Sequence, residues 1–258
     1  MPEGDTVFHT AHRLHSALAG RTITRFELRV ARFALADCVG QDVVAVVARG
    51  KHLLMRISNA WTLHSQLMMD GTWRISESRV GPRGGPGHQI RALIGNDQWL
   101  AAGYRVHGLT LIRTDRESEL VGHLGPDLLD PDWDRNEALR RFHEASGVNV
   151  ADVLLDQRVV AGIGNVVKSE LLFRHRLNPW APADSVADPG ALLEDAATLL
   201  DQNKLTYSRS TTGSRRPGEQ YWVYGRQGRG CRRCGTAIRK DEQGDRITYY
   251  CPECQRAY

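Results

Sequence analysis

Pro2, Glu3 and four cysteines near the far end of the chain are the residues with the most chemistry to offer. Pro2 follows Met1, and a methionine ahead of a small residue is ordinarily removed by aminopeptidases, which leaves a free secondary amine. An α-amine has a pKa near 7.7–8.0, against about 10.4 for lysine, so far more of it is unprotonated at neutral pH. Attack of a secondary amine on a sugar C1′ gives an iminium, a fixed cation and hence an electron sink. Glu3 beside it has the chemistry to protonate the ring oxygen, or to take a proton in the elimination that follows. Met-Pro-Glu is also a common way for a chain to begin, and taken alone the pair is better read as that. An acylated Pro2 attacks nothing, so the chemical reading requires removal of Met1.

Cys231-Arg-Arg-Cys234 and Cys251-Pro-Glu-Cys254 are two CxxC pairs with 16 residues between them. Each CxxC turn brings two thiolates to one side of an ion, and four of them suit one tetrahedral Zn²⁺. The stretch between the pairs, turning at 241–245, reads as a β-hairpin, so the whole is expected to be a zinc ribbon. Four protein ligands leave no open position, so the zinc is structural. Two disulfides are the rival pairing. The acidic start, Glu3 and Asp5, has no apolar run of a secretory signal, which points to the cytoplasm and away from disulfides. The fifth cysteine, Cys38, is expected to be a buried inert thiol. Zinc ribbons serve many purposes, and for the ribbon alone protein binding stays open beside nucleic acid.

The elements that must position these residues fall into two textures. Val7, Ala11, Leu14 and Leu18 recur at helical spacing, with Asp5 or Thr6 as the expected cap and Gly20 as the stop. Six β-rich runs follow: 22–30, 43–48, 52–57, 61–67, 89–94 and 109–113, a number and spacing that favour a sandwich or barrel. A Pro- and Asp-rich stretch from Gly125 to Asp134 reads as a linker. Helical patterns then cover 136–146, 150–157, 166–175 and 189–203. The predicted organisation is an N-terminal β domain over 1–125, a linker over 126–134, a helical domain over 135–203 and a basic cysteine-bearing segment over 204–258. From Lys204 on there are twelve Lys and Arg against five Asp and Glu, whereas the rest balances at minus three. A basic end on a near-neutral body suits a polyanion such as nucleic acid, or is simply a solvated charged tail. The apolar runs are too short to span a bilayer.

Five motifs occur in one order: Met1-Pro2-Glu3-Gly4, Arg49-Gly50-Lys51-His52-Leu53, Ala161-Gly162-Ile163-Gly164-Asn165, Val223-Tyr224-Gly225-Arg226 and the closing ribbon. Together they resemble the formamidopyrimidine-DNA glycosylase/endonuclease VIII family from end to end. The resemblance implies an α+β fold: an N-terminal β-sandwich with a flanking helix, then a helix–two-turn–helix domain with a C-terminal zinc ribbon. It implies a bacterial base-excision repair enzyme, a DNA glycosylase and abasic-site lyase, with Pro2 as Schiff-base nucleophile and Glu3 as general acid and base. Lys51, in a turn after Arg-Gly, then joins the catalytic group and reaches a backbone phosphate. Asn165 and Arg246 are the other two phosphate-binding residues. Asn165 also stands where a helix cap would, and the free N–H groups of the helix from Val166 are expected to grip phosphate.

An enzyme that acts on a base in a duplex flips it out and fills the gap. Met69 is the best match for the wedge, with Arg105 and His107 as its partners. Damaged DNA is the expected partner, one structural Zn²⁺ the cofactor, a monomer the expected state, and the bacterial nucleoid the expected location. Asp5-Thr6 stands where the family often has a glutamate, so that carboxylate is displaced or missing. The short polar stretch from Ser210 to Gln220, with Gly4 after Pro-Glu, favours an endonuclease VIII-like enzyme acting on oxidised pyrimidines. The alternatives are an 8-oxoguanine-preferring glycosylase, a non-catalytic damaged-DNA binder on the same scaffold, and a zinc-ribbon interaction factor.

Overall fold

Helix α1 runs Gly4–Leu18, so Asp5 and Thr6, expected as its cap, lie inside its first turn. Val7, Ala11, Leu14 and Leu18 are buried along one stripe of it, as their spacing predicts. The structure, a computed structural model, describes residues 2–243 and 246–256. The question of Met1 therefore lies outside the described residues, as does the tip of the 241–245 turn. The chain divides into two units: Pro2 with Thr6–His123, and Glu3–Asp5 with the residues from Leu124 on.

In the first unit eight strands follow α1: β1 Arg25–Leu28, β2 Val43–Arg49, β3 His52–Ile57, β4 Trp61–Gln66, β5 Thr72–Glu77, β6 Ile90–Gly95, β7 Trp99–Tyr104 and β8 Thr110–Arg113. They form two antiparallel four-stranded sheets, β2-β3-β4-β8 and β1-β6-β7-β5. Val43, Val46, Leu53 and Met55 of one sheet share a single core with Phe26, Trp73, Ile94 and Ala101 of the other and with the α1 stripe. This is a β-sandwich with a flanking helix. A short helix α2, Ser118–Val121, ends the unit.

Strands β5 and β7 escape the sequence pattern. β7 reads Trp-Leu-Ala-Ala-Gly-Tyr, and its small residues hide a strand because they make room for a neighbour. A Cβ on Gly103 would stand 3.2 Å from the Trp73 ring of β5.

The second unit holds α3 Arg135–Glu144, α4 Val150–Leu155, α5 Asn165–Arg174, α6 Pro189–Asn203 and the hairpin β9 Arg239–Gln243 with β10 Arg246–Tyr250. The starts follow from capping chemistry. Asp134 accepts from the Glu137 N–H at 2.9 Å, and Asp188 accepts from the Ala191 N–H at 2.8 Å with Pro189 opening α6. Residues 126–134, expected as a linker, are built into this unit. The Ala161 N–H donates to the Pro126 carbonyl at 2.8 Å, Leu128 and Trp133 are buried, and Asp127 and Asp130 each fold back on an N–H two residues on. Pro and Asp mark Asx-type turns here rather than a tether. Among the described residues no helix is long and apolar enough to cross a membrane.

Helix α5 is buried on every side from Asn165 to Phe173, although Asn165, Lys168, Ser169 and Glu170 are polar. Buried polar groups without partners are costly, so what those four residues hold defines the centre of the unit.

Candidate active site and phosphate-binding residues

Glu3 is 0% exposed and seats its carboxylate on the N-terminus of α5. Oε1 accepts from the Val166 N–H at 2.6 Å and Oε2 from the Val167 N–H at 3.2 Å. These are two of the four N–H groups a helix start leaves without intrahelical partners, and they meet the carboxylate at the positive end of the helix dipole. Hydrogen bonds to a charged group contribute about 1.5–3 kcal/mol each, enough to keep a carboxylate out of water. The N–H groups expected to grip a phosphate are therefore taken by the protein's own anion.

Two glycines make the seat possible. A Cβ on Gly164 would fall 2.4 Å from the Glu3 side chain, and one on Gly4 would fall 2.9 Å from Gly162 Cα. The Gly4 N–H also donates to the Gly162 carbonyl at 2.9 Å. Between α4 and α5, Gln157 ties the two turns, donating to the Leu155 and Ile163 carbonyls and accepting from the Gly162 N–H.

Arg209, 10% exposed at its side chain, lies beside this seat. Its guanidinium forms a forked pair with Asp5, and its Nη1 stands 3.6 Å from Glu3 Oε2. Asp5, beside the position where a glutamate was expected, holds this arginine. The two carboxylates drive the Arg209 pKa upward against the burial that opposes it. Burial also raises the pKa of Tyr221 and Tyr224, with Glu3 and Arg209 both close enough to contribute.

The other polar residues of α5 reach the ribbon. Asn165 caps nothing; its Nδ2 donates to the Ile247 carbonyl at 2.8 Å. Lys168 Nζ donates to Thr248 Oγ1 at 2.7 Å, and burial pushes its amine down to about 8. Both partners lie on β10, the strand that starts at the exposed Arg246. Glu170 accepts from the Trp222, Val223 and Tyr224 N–H groups at 2.7–2.8 Å and from the Thr211 hydroxyl. One buried carboxylate thereby folds the Val-Tyr-Gly-Arg segment onto the helix.

At the ribbon, Cys231, Cys234, Cys251 and Cys254 have their sulfurs within 4.8 Å of one another. The Cys231–Cys254 and Cys234–Cys251 Sγ separations are 3.9 and 3.5 Å, too long for disulfide bonds. They match the edge of a tetrahedron with Zn–S bonds near 2.3 Å, about 3.8 Å. N–H groups of Arg233 and Cys254 point at Cys231 and Cys251 sulfur at 3.4 Å, as thiolates require. The four cysteines form the site of one structural zinc. Cys38 is buried in the first unit, and burial raises its thiol pKa, which leaves it inert.

In the first unit Pro2 is half-buried, and its peptide bond to Glu3 ties it covalently to the seat. Lys51 is half-buried in the two-residue loop between β2 and β3, where Arg49 pairs with His52. Gly50 opens that loop at φ +57°, a position that favours glycine. Behind Lys51, His52 Nδ1 lies 2.9 Å from His64 Nε2, and Gln66 Nε2 is 3.0 Å from His52 Nε2. Burial, and for His52 also the neighbouring His64, His123 and Lys51, pushes both imidazoles down to about 4.

Met69, Arg105 and His107 gather at one edge of this unit around a residue the sequence did not single out. Asp70 stands 3.3 Å from Arg105 Nε and 3.2 Å from His107 Nε2. Met69 is 69% exposed, and Met68 and Arg105 both adopt left-handed backbone, φ +52° and +50°. Sequence reasoning also missed the Asp5–Arg209 pair and the Glu170 and Lys168 contacts. Gly164 was the visible signal for the Glu3 seat; nothing near Asp5 in the chain announces Arg209.

Three family models cover most of the chain. The formamidopyrimidine-DNA glycosylase N-terminal domain matches residues 1–101, the formamidopyrimidine-DNA glycosylase H2TH domain residues 124–210, and the zinc finger found in FPG and IleRS residues 231–257. A probable endonuclease 8 2 of Streptomyces coelicolor is 48% identical, over 99% of this chain and 94% of the relative. The DNA-(apurinic or apyrimidinic site) lyase Nei2 of Mycolicibacterium smegmatis is 44% identical over the full length of both. Among solved structures, Lactococcus lactis Fpg in complex with abasic-site DNA aligns with a TM-score of 0.83 at 25% identity, over 99% of this chain and 100% of that one.

Proposed function

The chain belongs to the formamidopyrimidine-DNA glycosylase/endonuclease VIII family, and on that premise we propose a base-excision repair reaction carried by Pro2 and Glu3. The enzyme is a DNA glycosylase with abasic-site lyase activity. With Met1 removed, the Pro2 nitrogen forms a bond to C1′ of the damaged nucleotide while the C1′–base bond breaks, and the base leaves with that electron pair and gains a proton. Glu3 takes the proton that the amine loses and delivers it to the ring oxygen as the sugar opens to the iminium, while the departing base takes its proton from water. Loss of a C2′ proton to a carboxylate then pushes electrons toward the iminium and expels the 3′ phosphate, which nicks the strand; a second elimination removes the 5′ phosphate.

The observation that carries this reading is the seat of Glu3. Few structural carboxylates are so fully withdrawn from water yet joined by a single peptide bond to a candidate nucleophile. Lys51, Asn165 and Arg246 are the proposed grips on the DNA backbone, and Met69 with Arg105 the proposed wedge. Oxidised pyrimidines are the proposed substrates. The 210–220 stretch supports that choice, because its Thr211 and Thr212 are bonded back to Gln220 and Glu219 and leave little free chain to close over a purine. The proposed setting is the bacterial cytoplasm, with a monomer acting on chromosomal DNA.

Borohydride trapping tests this on duplexes carrying an oxidised pyrimidine, 8-oxoguanine or an abasic site. A covalent adduct is expected on the wild type and lost in Pro2→Gly with DNA binding retained, the strongest on the oxidised pyrimidine. No adduct from protein whose mass lacks Met1 would make the chain a binder rather than an enzyme.

A further inference from the structure

We propose that Arg209 is a positioning residue for Glu3, holding the carboxylate through Oε2, with Asp5 in turn holding Arg209 off that oxygen. The proposal rests on the assignment of Glu3 as acid and base. The two oxygens of Glu3 are unequal: Oε1 has the shorter N–H contact at 2.6 Å, while Oε2 has one at 3.2 Å and Arg209 at 3.6 Å. A proton moves through the less committed oxygen, which is Oε2.

A buried guanidinium facing a lone carboxylate closes to a direct bidentate pair and occupies both oxygens. Here Asp5 takes Nε and Nη2, so only Nη1 faces Glu3, at a distance that attracts without hydrogen bonding. The cation thus fixes the direction of the carboxylate without taking a hydrogen bond from Oε2. A purely structural arginine would serve to tether residues 204–220. That tether exists without it, because Asn203 bonds both the N–H and the carbonyl of Ser210, at 2.8 and 3.0 Å.

Single-turnover cleavage rates and DNA affinities of Arg209→Met, Arg209→Lys and Asp5→Asn test the assignment, each alone and combined with Glu3→Gln. Misplacing a reacting group by about an ångström costs on the order of 100-fold, so Arg209→Met is expected to lose about 10- to 100-fold in rate with Kd within about twofold of wild type. Arg209→Lys recovers part of the loss, and Asp5→Asn lowers the rate only while Arg209 is present. In the Glu3→Gln background Arg209→Met has no further effect. An equal loss in both backgrounds, or a loss in affinity alone, overturns the proposal. Should Arg209→Met melt at a lower temperature, Arg209→Lys and Asp5→Asn decide the matter. Full activity of Glu3→Gln alone would instead remove the assignment of Glu3, which separates the two failures.

Discussion

Around Glu3 every named partner is buried or nearly so, whereas around Met69 almost nothing is. The carboxylate is gripped by two backbone N–H groups, crowded by Gly164 and backed by an arginine that is itself paired. Met69 stands 69% exposed between a left-handed Met68 and an Asp70 shared by two half-exposed side chains. A group that must transfer protons works best preorganised and dry. One that must enter a base stack has to be available and adjustable, and strained backbone supplies a store of alternative conformations. The buried carboxylate and the exposed methionine thus lie in different units, glycines crowding the first residue and exposed charged residues flanking the second.

The sharpest way to break that contrast is at Gly164. Gly164→Ala puts a methyl 2.4 Å from the Glu3 side chain, whose carboxylate is held by the Val166 and Val167 N–H groups. The expected loss in single-turnover rate is about 100- to 1,000-fold, from displacement of Glu3 off the α5 N–H groups. A variant with near wild-type rate would mean the seat is soft after all.

The units also differ in how they meet protons. In the first, His52 and His64 fall from 6.5 to about 4, so between those values the unfolded chain binds protons that the folded one refuses, and stability drops as pH falls through that window. In the second, Lys168 falls from 10.5 to about 8, so its cost is fully present below pH 8 and is relieved as pH rises toward 10.5. Thermal melts across pH should show the acid limb flattened in His64→Phe and the alkaline limb flattened in Lys168→Met. Unchanged limbs in both would deny that these buried groups set the response.

The smallest effect is expected at the proposed wedge. Asp70→Asn removes a negative charge and frees Arg105, and exposed pairs are worth about 0.2–1 kcal/mol, so DNA affinity should rise by about twofold to fivefold. A fall in affinity would mean that Asp70 presents Arg105 rather than restrains it.

Local chemistry was legible in the sequence wherever a few neighbouring residues determine it. The two CxxC pairs, the stripe of α1 and the span of α6 needed only spacing and capping. Strand β7 was illegible because its small residues answer to Trp73, a neighbour in space. The N–H groups of α5 were readable as an anion site, but not the anion, because Glu3 lies 163 positions away. Arg209 was hidden for the same reason, 204 positions from Asp5. Asp70 directly follows Met69, and only the fold shows that its carboxylate reaches both Arg105 and His107.

Those long separations also set an order of events at the ribosome. Closing such loops is slow and unrewarded until both ends exist, so Glu3 has no seat until α5 has emerged and no arginine beside it until residue 209 has. The first residues made are therefore among the last to be placed. A chain that ends before α5 therefore has no seat for Glu3, and one that ends before residue 209 has the seat without its arginine.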